Sequence, residues 1–287
     1  MARSSIISTG IYKVDKTGIN ATDDFLAVEE PLEIRIRYGI PPEQVTKSIS
    51  VTMRTPGNDE ELATGFLFTE GIIKNVHDIT GVKHCDNSDE NVVEVELKPG
   101  VSFNLKNLDR NFYTTSSCGV CGKSSIEAIT TTRFLNTNVE DDIQCTPSII
   151  NNLPAVLRST QNIFTQTGGL HACGLFTAEG ELLISREDVG RHNALDKLIG
   201  ASLNQNLFPL HNYLLLLSGR ASFELVQKAY MAGIKVVAAV GAPSSLAVQT
   251  AASFGITLIG FVRAQTFNIY SGAQRIKIPA YETSYQG

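Results

Sequence analysis

The sequence predicts an α/β protein with a smaller α+β part at its N-terminal end, and three observations carry that expectation. In the last third, apolar runs of strand length (213–217, 235–240, 257–262) alternate with helical stretches (223–231, 245–254), as in a partly parallel sheet covered by helices on both faces. Before residue 100 the pattern changes: Leu32, Ile34, Ile36 and Tyr38 alternate with Glu33, Arg35 and Arg37, the period of a half-buried strand. The chain has 287 residues, 43% hydrophobic and 18% charged, which suits a packed core in about two domains. The expected division is a loose arm over 1–24, a small α+β domain over 25–112 and an α/β domain over 113–287.

Residues 1–24 are rich in Ser, Thr, Lys and Asp and show no sustained period, hence the loose arm. The strand over 32–38 stops at Pro41 and Pro42, and a second strand follows over 48–53. Pro56, Gly57, Asn58 and Asp59 form a turn that caps a helix whose Leu62, Phe66 and Ile72 face inward, closed by Gly71. Another alternating strand, 92–97, ends at Pro99 and Gly100. Arg54 and Glu70 read as solvated charges at element ends. His77, His84 and Cys85 lie in or near a surface turn and are too few to hold a metal.

Beyond the middle of the chain, 136–146 is a polar connection, with Cys145 just before Pro147. A helix is predicted over 149–164, although Pro154 falls in its first turn. Gly168 and Gly169 precede a hairpin of 170–176 and 182–185. His171 and Cys173, two apart on its first strand, share a face and read as a core histidine beside an inert cysteine. The polar run 186–193 leads into a helix over 194–203, and loops between strand and helix often carry sites. Asp188 and His192 are its members best suited to orient or protonate a reacting group.

A net charge of −5 gives no global attraction for nucleic acid. Five cysteines suggest no disulfide framework, which fits a reducing compartment. The N-terminus lacks the apolar core of a signal peptide, and no apolar run approaches the ~18 residues of a membrane helix. A soluble, cytoplasmic protein with no nucleic-acid or membrane partner is expected.

The segment 114–125, TTSSCGVCGKSS, is polar and glycine-rich and presents two thiols, Cys118 and Cys121. A helix is predicted just after them over 124–134, so its dipole and Lys123 favour thiolate. A structural thiol pair sits badly with so polar a setting. A zinc site would have to be completed by Cys145, Cys173 and His171, which form no second close pair. A thioredoxin-like dithiol and a persulfide-carrying thiolate both remain, and the spacing does not separate them.

At the other end, the three predicted parallel strands finish along one edge with Ser218-Gly219-Arg220, Gly241-Ala242-Pro243-Ser244-Ser245 and Arg263-Ala264-Gln265-Thr266. Two of these ends open helices and two bring arginines, a combination suited to phosphate, though well-capped turns would look the same. No Gly-x-Gly-x-x-Gly or Walker sequence is present, so nicotinamide and ATP sites are not expected.

Three runs, SSCGVCGKSS at 116–125, SREDVGRHNALDKLIG at 185–200 and GFVRAQTFNIYSG at 260–272, together resemble the FdhD family, the sulfur carriers that serve formate dehydrogenases. The resemblance covers nearly everything after about residue 20 and implies a sulfurtransferase. Its donor would be a cysteine desulfurase and its acceptor the molybdenum bis(molybdopterin guanine dinucleotide) cofactor of a formate dehydrogenase. It places the persulfide on Cys118, gives Cys121 a supporting part, and makes Phe261, Val262, Arg263, Ala264, Gln265 and Thr266 contacts of the cofactor, with Arg220 beside them on the strand edge. It also implies a homodimer and a deaminase-like, three-layer C-terminal domain. Deamination itself is not implied, because His171-Ala172-Cys173 follows the cysteine pair and lacks the glutamate that nucleobase deaminases use.

Overall fold

The computed structural model describes residues 4–85, 91–101, 103 and 143–278. Cys118, Cys121, the helix expected over 124–134 and the domain boundary expected near residue 112 lie outside the described residues.

The C-terminal part is built on a six-stranded sheet of β7 (His171–Phe176), β8 (Leu182–Asp188), β9 (Leu214–Leu217), β10 (Val236–Ala239), β11 (Thr257–Gly260) and β12 (Asn268–Ser271), in the order β12-β11-β10-β9-β7-β8. The three central strands are parallel, with Leu214, Val236 and Thr257 in register, and the flanking pairs are antiparallel. Alternation along each strand feeds two separate cores. Leu215, Leu217, Val237, Ala239 and Leu258 face one side, and Leu214, Leu216, Val236, Ala238 and Ile259 face the other.

Helices cover both sides. The first face packs against α4 (Arg191–Asn204), α5 (Phe223–Met231) and α6 (Ser245–Ser253). The second packs against α2 (Pro147–Thr160), through Ile150, Leu153 and Leu157, with the short α3 (Asn162–Thr167) after it. The single helix predicted over 149–164 is thus two. Pro154 is accommodated inside α2, and Gln161 breaks from helical geometry between the two helices. Among the described residues no helix is long and apolar enough to cross a membrane.

The N-terminal part is a four-stranded sheet, in the order β4-β3-β6-β5, of β3 (Glu30–Tyr38), β4 (Val45–Arg54), β5 (Ile79–His84) and β6 (Val92–Leu97), with α1 (Asp59–Thr69) on its inner face. The stretch expected to be a loose arm is instead a hairpin of β1 (Ile6–Asp15) and β2 (Gly18–Ala27), paired without interruption from Ile6↔Ala27 to Asp15↔Gly18. Its apolar side chains buried no face that would have announced it, since Tyr12 is 78% and Val14 72% exposed.

The two parts share one core. Leu32, Ile34 and Val95 of the small sheet belong to the same hydrophobic cluster as Leu198, Val226 and Leu258. The join is a close crossing of α1 over α4, where glycine is required on both helices. A β-carbon on Gly65 would sit 1.9 Å from the Asp196 carbonyl oxygen, and one on Gly200 would sit 1.9 Å from that of Glu61. The same crossing carries a buried polar cluster, in which Lys228 Nζ donates to both Asp196 carboxylate oxygens and to Thr69 Oγ1, each at 2.9 Å. Burial first, and then the nearby Glu70, push the Asp196 carboxyl up, against the pull of the Lys228 ammonium and the Thr69 hydroxyl.

Arg54 and Glu70 are not the solvated charges expected from their positions. Arg54 is fully buried and makes a two-point contact with Asp59, Nε to Oδ1 at 3.0 Å and Nη2 to Oδ2 at 2.8 Å. Glu70 lies 3.8 Å from Lys228. Arg54 is enclosed with Glu30, Asp59 and Asn91 of its own part, whereas Glu70, after the end of α1, faces Lys228 of the second part.

Candidate functional site

The ends of β9, β10 and β11 and the starts of α4, α5 and α6 converge on one rim. There the backbone is knitted across strands: Gly241 N donates to Gly219 O at 2.8 Å, Ala221 N to Ala242 O at 3.2 Å and Phe261 N to Gly241 O at 3.2 Å. The parallel register places the loops 218–222, 241–244 and 261–266 side by side, as the sequence pattern requires. Ser244 caps α6, its side chain accepting from Ala247 N at 3.2 Å.

The 261–266 segment differs along its length in what it offers. Phe261 is 41% exposed and held at φ 54°, a left-handed conformation uncommon for an aromatic residue. Its own amide bond to Gly241 O and that of Val262 to Ala239 O at 3.1 Å fix it there. A ring presented in this way at a rim is suited to stack on a flat heterocycle. Val262 is buried and contributes its side chain to the core rather than to the rim. Arg263 is exposed but folded back, Nη1 donating to Val240 O at 2.7 Å and to Val262 O at 2.8 Å. Ala264, Gln265 and Thr266 are exposed, and Thr266 O accepts from Arg263 N at 2.8 Å to close the turn. Arg220 is also exposed, at the end of β9.

The loop 186–193 meets this rim from the side, and its members separate sharply in role. Asp188 is completely buried, paired with Lys197 Nζ at 2.7 Å, and its oxygens accept from Gly190 N at 2.8 Å and Thr55 N at 3.2 Å. It fixes the loop against the N-terminal part and presents no carboxylate to a ligand, so of the pair singled out in sequence only His192 stays open. His192 Nε2 lies 3.4 Å from Ser222 Oγ and 3.8 Å from Glu224 Oε2. The imidazole beside Glu224 holds its carboxyl down, at about 2.

His171, at the start of β7, is half-buried and reaches the rim instead of the core. Its ring lies against Gly219, where a β-carbon would come within 3.1 Å of Nδ1. From there an open cleft of about 640 Å³ runs along α2 and α3, lined by Leu157, Arg158, Phe164, Leu170 and Ser218 among others. On its wall the Arg158 guanidinium stacks 4.2 Å from the Phe164 ring centre.

The remaining thiols are poor nucleophiles. Cys145 and Cys173 are buried in different core clusters, which leaves no common point where they could complete a metal site with one another. Burial pushes the Cys145 thiol up to about 11 and raises that of Cys173 as well. In mildly alkaline buffer, iodoacetamide is expected to leave both unmodified in the native protein and to modify both once denaturant is added. Fast native modification of either, read by peptide mass, would contradict their burial. Cys85, at the end of β5, is only half-buried.

The sequence profile of the FdhD/NarQ family matches residues 27–277. The chain belongs to the FdhD/NarQ family. Relatives in that family align over nearly their whole length. A protein of Streptomyces coelicolor named "Sulfur carrier protein FdhD" is 47% identical over 276 residues, covering 94% of this chain and 95% of its own. One of the same name from Thermoplasma volcanium is 42% identical over 274 residues, covering 93% and 95%. A crystal structure of a formate dehydrogenase accessory protein from Desulfotalea psychrophila superposes with a TM-score of 0.73 at 24% identity, covering 95% of this chain and all of that one, and shares its fold. The mixed α/β architecture of the described residues is therefore that of the FdhD/NarQ family.

Signals for Arg54, Arg191 and Gly200 at this site and its support were absent from the local sequence. Arg54 is buried among Glu30, Asp59 and Asn91, Arg191 is marked by an Nε that meets no hydrogen-bond partner among the described residues, and Gly200 acts through the shape of a helix crossing.

Proposed function

We propose that this FdhD/NarQ protein is a sulfurtransferase that carries sulfur as a persulfide on Cys118 and hands it to the molybdenum bis(molybdopterin guanine dinucleotide) cofactor of a formate dehydrogenase. The observation that carries the reading is the sealing of Cys145 and Cys173. Two of the five thiols are thereby poor carriers of sulfur, and of Cys85, Cys118 and Cys121, which remain, the family resemblance assigns the role to Cys118. Family membership and the names of its relatives support the same assignment.

Loading is a thiolate exchange. The Cys118 thiolate attacks the outer sulfur of the persulfide on a cysteine desulfurase; the donor's S–S bond breaks as a new one forms on Cys118, and the donor leaves as thiolate. Release is assisted if the Cys121 thiolate attacks the Cys118 sulfur. Hydrosulfide then departs, a Cys118–Cys121 disulfide remains, and a cellular dithiol resets it. The acceptor is substrate here, and the rim has the donors to hold its phosphates: the amides opening α5 and α6 and the exposed Arg220, with Phe261 available to a guanine ring. A cytoplasmic homodimer working between desulfurase and formate dehydrogenase completes the reading.

Intact mass after incubation with a desulfurase and cysteine tests it against a dithiol oxidoreductase. A carrier gains one sulfur atom, whereas an oxidoreductase only loses two hydrogens.

A further inference from the structure

The loop 186–193 accounts for nearly all of its own charge. Arg186 makes a two-point contact with Glu61, and Glu187 accepts from the amides of Ile163 at 3.1 Å and Phe164 at 2.9 Å. Asp188 is taken by Lys197, His192 stands beside Glu224, and Asn193 donates to Met53 O at 2.8 Å. Arg191 stands apart. Its Nε is enclosed yet meets no hydrogen-bond partner among the described residues.

Its position makes that harder to explain as structure. Arg191 is the first residue of α4, where the positive end of the helix dipole disfavours a cation, and the first turn has no acidic residue and no side-chain cap. Across the rim, the imidazole of His171 is held below its usual value by burial first, and then by the positive charge of Arg191, His192 and Arg220, with only Asp188 acting in the other direction. Lys197 already neutralises Asp188. With His192 matched by Glu224, Arg191 and Arg220 are left beside His171 around an enclosed N–H that meets no partner among the described residues, an arrangement that an anion relieves.

We propose that Arg191, Arg220 and His171 form a binding point for a phosphate or diphosphate group of a ligand, between the starts of α4 and α5 and separate from the 261–266 segment. It deepens the reading of the strand edge as a phosphate cradle and rests on it. The planar guanidinium of Arg191 suits two-point contact with a phosphate, and its free Nε is one of the two donors such a contact uses. His171 contributes by gaining a proton as the anion arrives, so affinity rises as pH falls through the histidine range. The charged groups facing it are Asp188 from β8, Arg191 and His192 from α4 and Arg220 from the end of β9, and the one carboxylate among them, Asp188, is taken by Lys197.

Calorimetric titration of the full chain with inorganic pyrophosphate tests the site. Arg191→Gln is expected to weaken binding at least about tenfold, the loss of one charge-assisted two-point contact. His171→Gln is expected to remove the gain in affinity at lower pH, while Lys98→Gln, a distant change of equal charge, leaves binding as it is. Unchanged pyrophosphate affinity in an Arg191→Gln protein that melts like the wild type overturns the proposal. A parallel titration with GDP distinguishes the source: an equal loss assigns a nucleotide's diphosphate to this point, and a loss confined to pyrophosphate assigns a free inorganic anion. Sulfur loading of Cys118 is read by mass and pyrophosphate binding by calorimetry, so the two are scored independently. A wild type that binds pyrophosphate but gains no sulfur therefore sinks the carrier function alone, and a wild type that gains sulfur with Arg191→Gln binding unchanged sinks this site alone.

Discussion

Alanine in place of Gly200 is expected to cost at least about 3 kcal/mol, near the top of the range for overpacking, and to lower the melting temperature by roughly 6–12 °C. The added methyl would meet the Glu61 carbonyl oxygen at 1.9 Å and the Glu61 Cα at 3.0 Å, and these are backbone atoms that no rotamer change can move. The helices α1 and α4 would have to separate, which opens the shared core and pulls Thr69, at the end of α1, away from Asp196 and Lys228. The buried carboxylate would then lose the hydroxyl that helps to satisfy it, adding to the loss. Gly65→Ala meets the Asp196 carbonyl in the same way and is expected to match it. Gly81→Ala, with open space around the new methyl, is the control and should melt like the wild type. Thermal melts of the three variants check the account, and a Gly200→Ala protein as stable as Gly81→Ala would contradict the crossing.

Cys118→Ala is expected to abolish activation of a formate dehydrogenase in cells that depend on this protein. Among the described thiols Cys145 and Cys173 are sealed and Cys85 is half-buried after the end of β5. Cys121→Ala should lower activation without reaching the Cys118→Ala level, since loading needs only the first thiol and the second assists release. The comparison is made at equal protein abundance, with both variants shown to melt like the wild type. Full activation by Cys118→Ala would favour a protein that binds and delivers the cofactor without carrying sulfur.

The parallel sheet was legible because buried strands such as Leu214–Leu217 and Val236–Ala239 are continuous apolar runs bounded by turns. Helix 223–231 follows the same logic, and its observed limits coincide with those expected. The hairpin of β1 and β2 was not legible, because exposed strands carry no buried face to impose a period. The strands β5 and β12 are partly exposed as well, and Gly81 interrupts the first. At the rim, residue types pointed to Arg220 and to the polar loop, but not to the division of labour within it. Asp188 and His192 look equivalent in sequence, and only the buried ammonium of Lys197, nine residues after Asp188 but on the inner face of α4, makes one a clamp and leaves the other open. The part played by Arg191 was hidden for the converse reason, since its distinction is an Nε with no hydrogen-bond partner among the described residues.

The central claim is that Cys118 takes up the travelling sulfur. Incubating the protein with a cysteine desulfurase and sulfur-35-labelled cysteine, then mapping the label by peptide under non-reducing conditions, tests it most directly. The account predicts label on the Cys118 peptide, absent in Cys118→Ala and released by a dithiol reductant. Label on Cys85, Cys145 or Cys173 instead, or none on a folded wild type in the presence of active desulfurase, would contradict it.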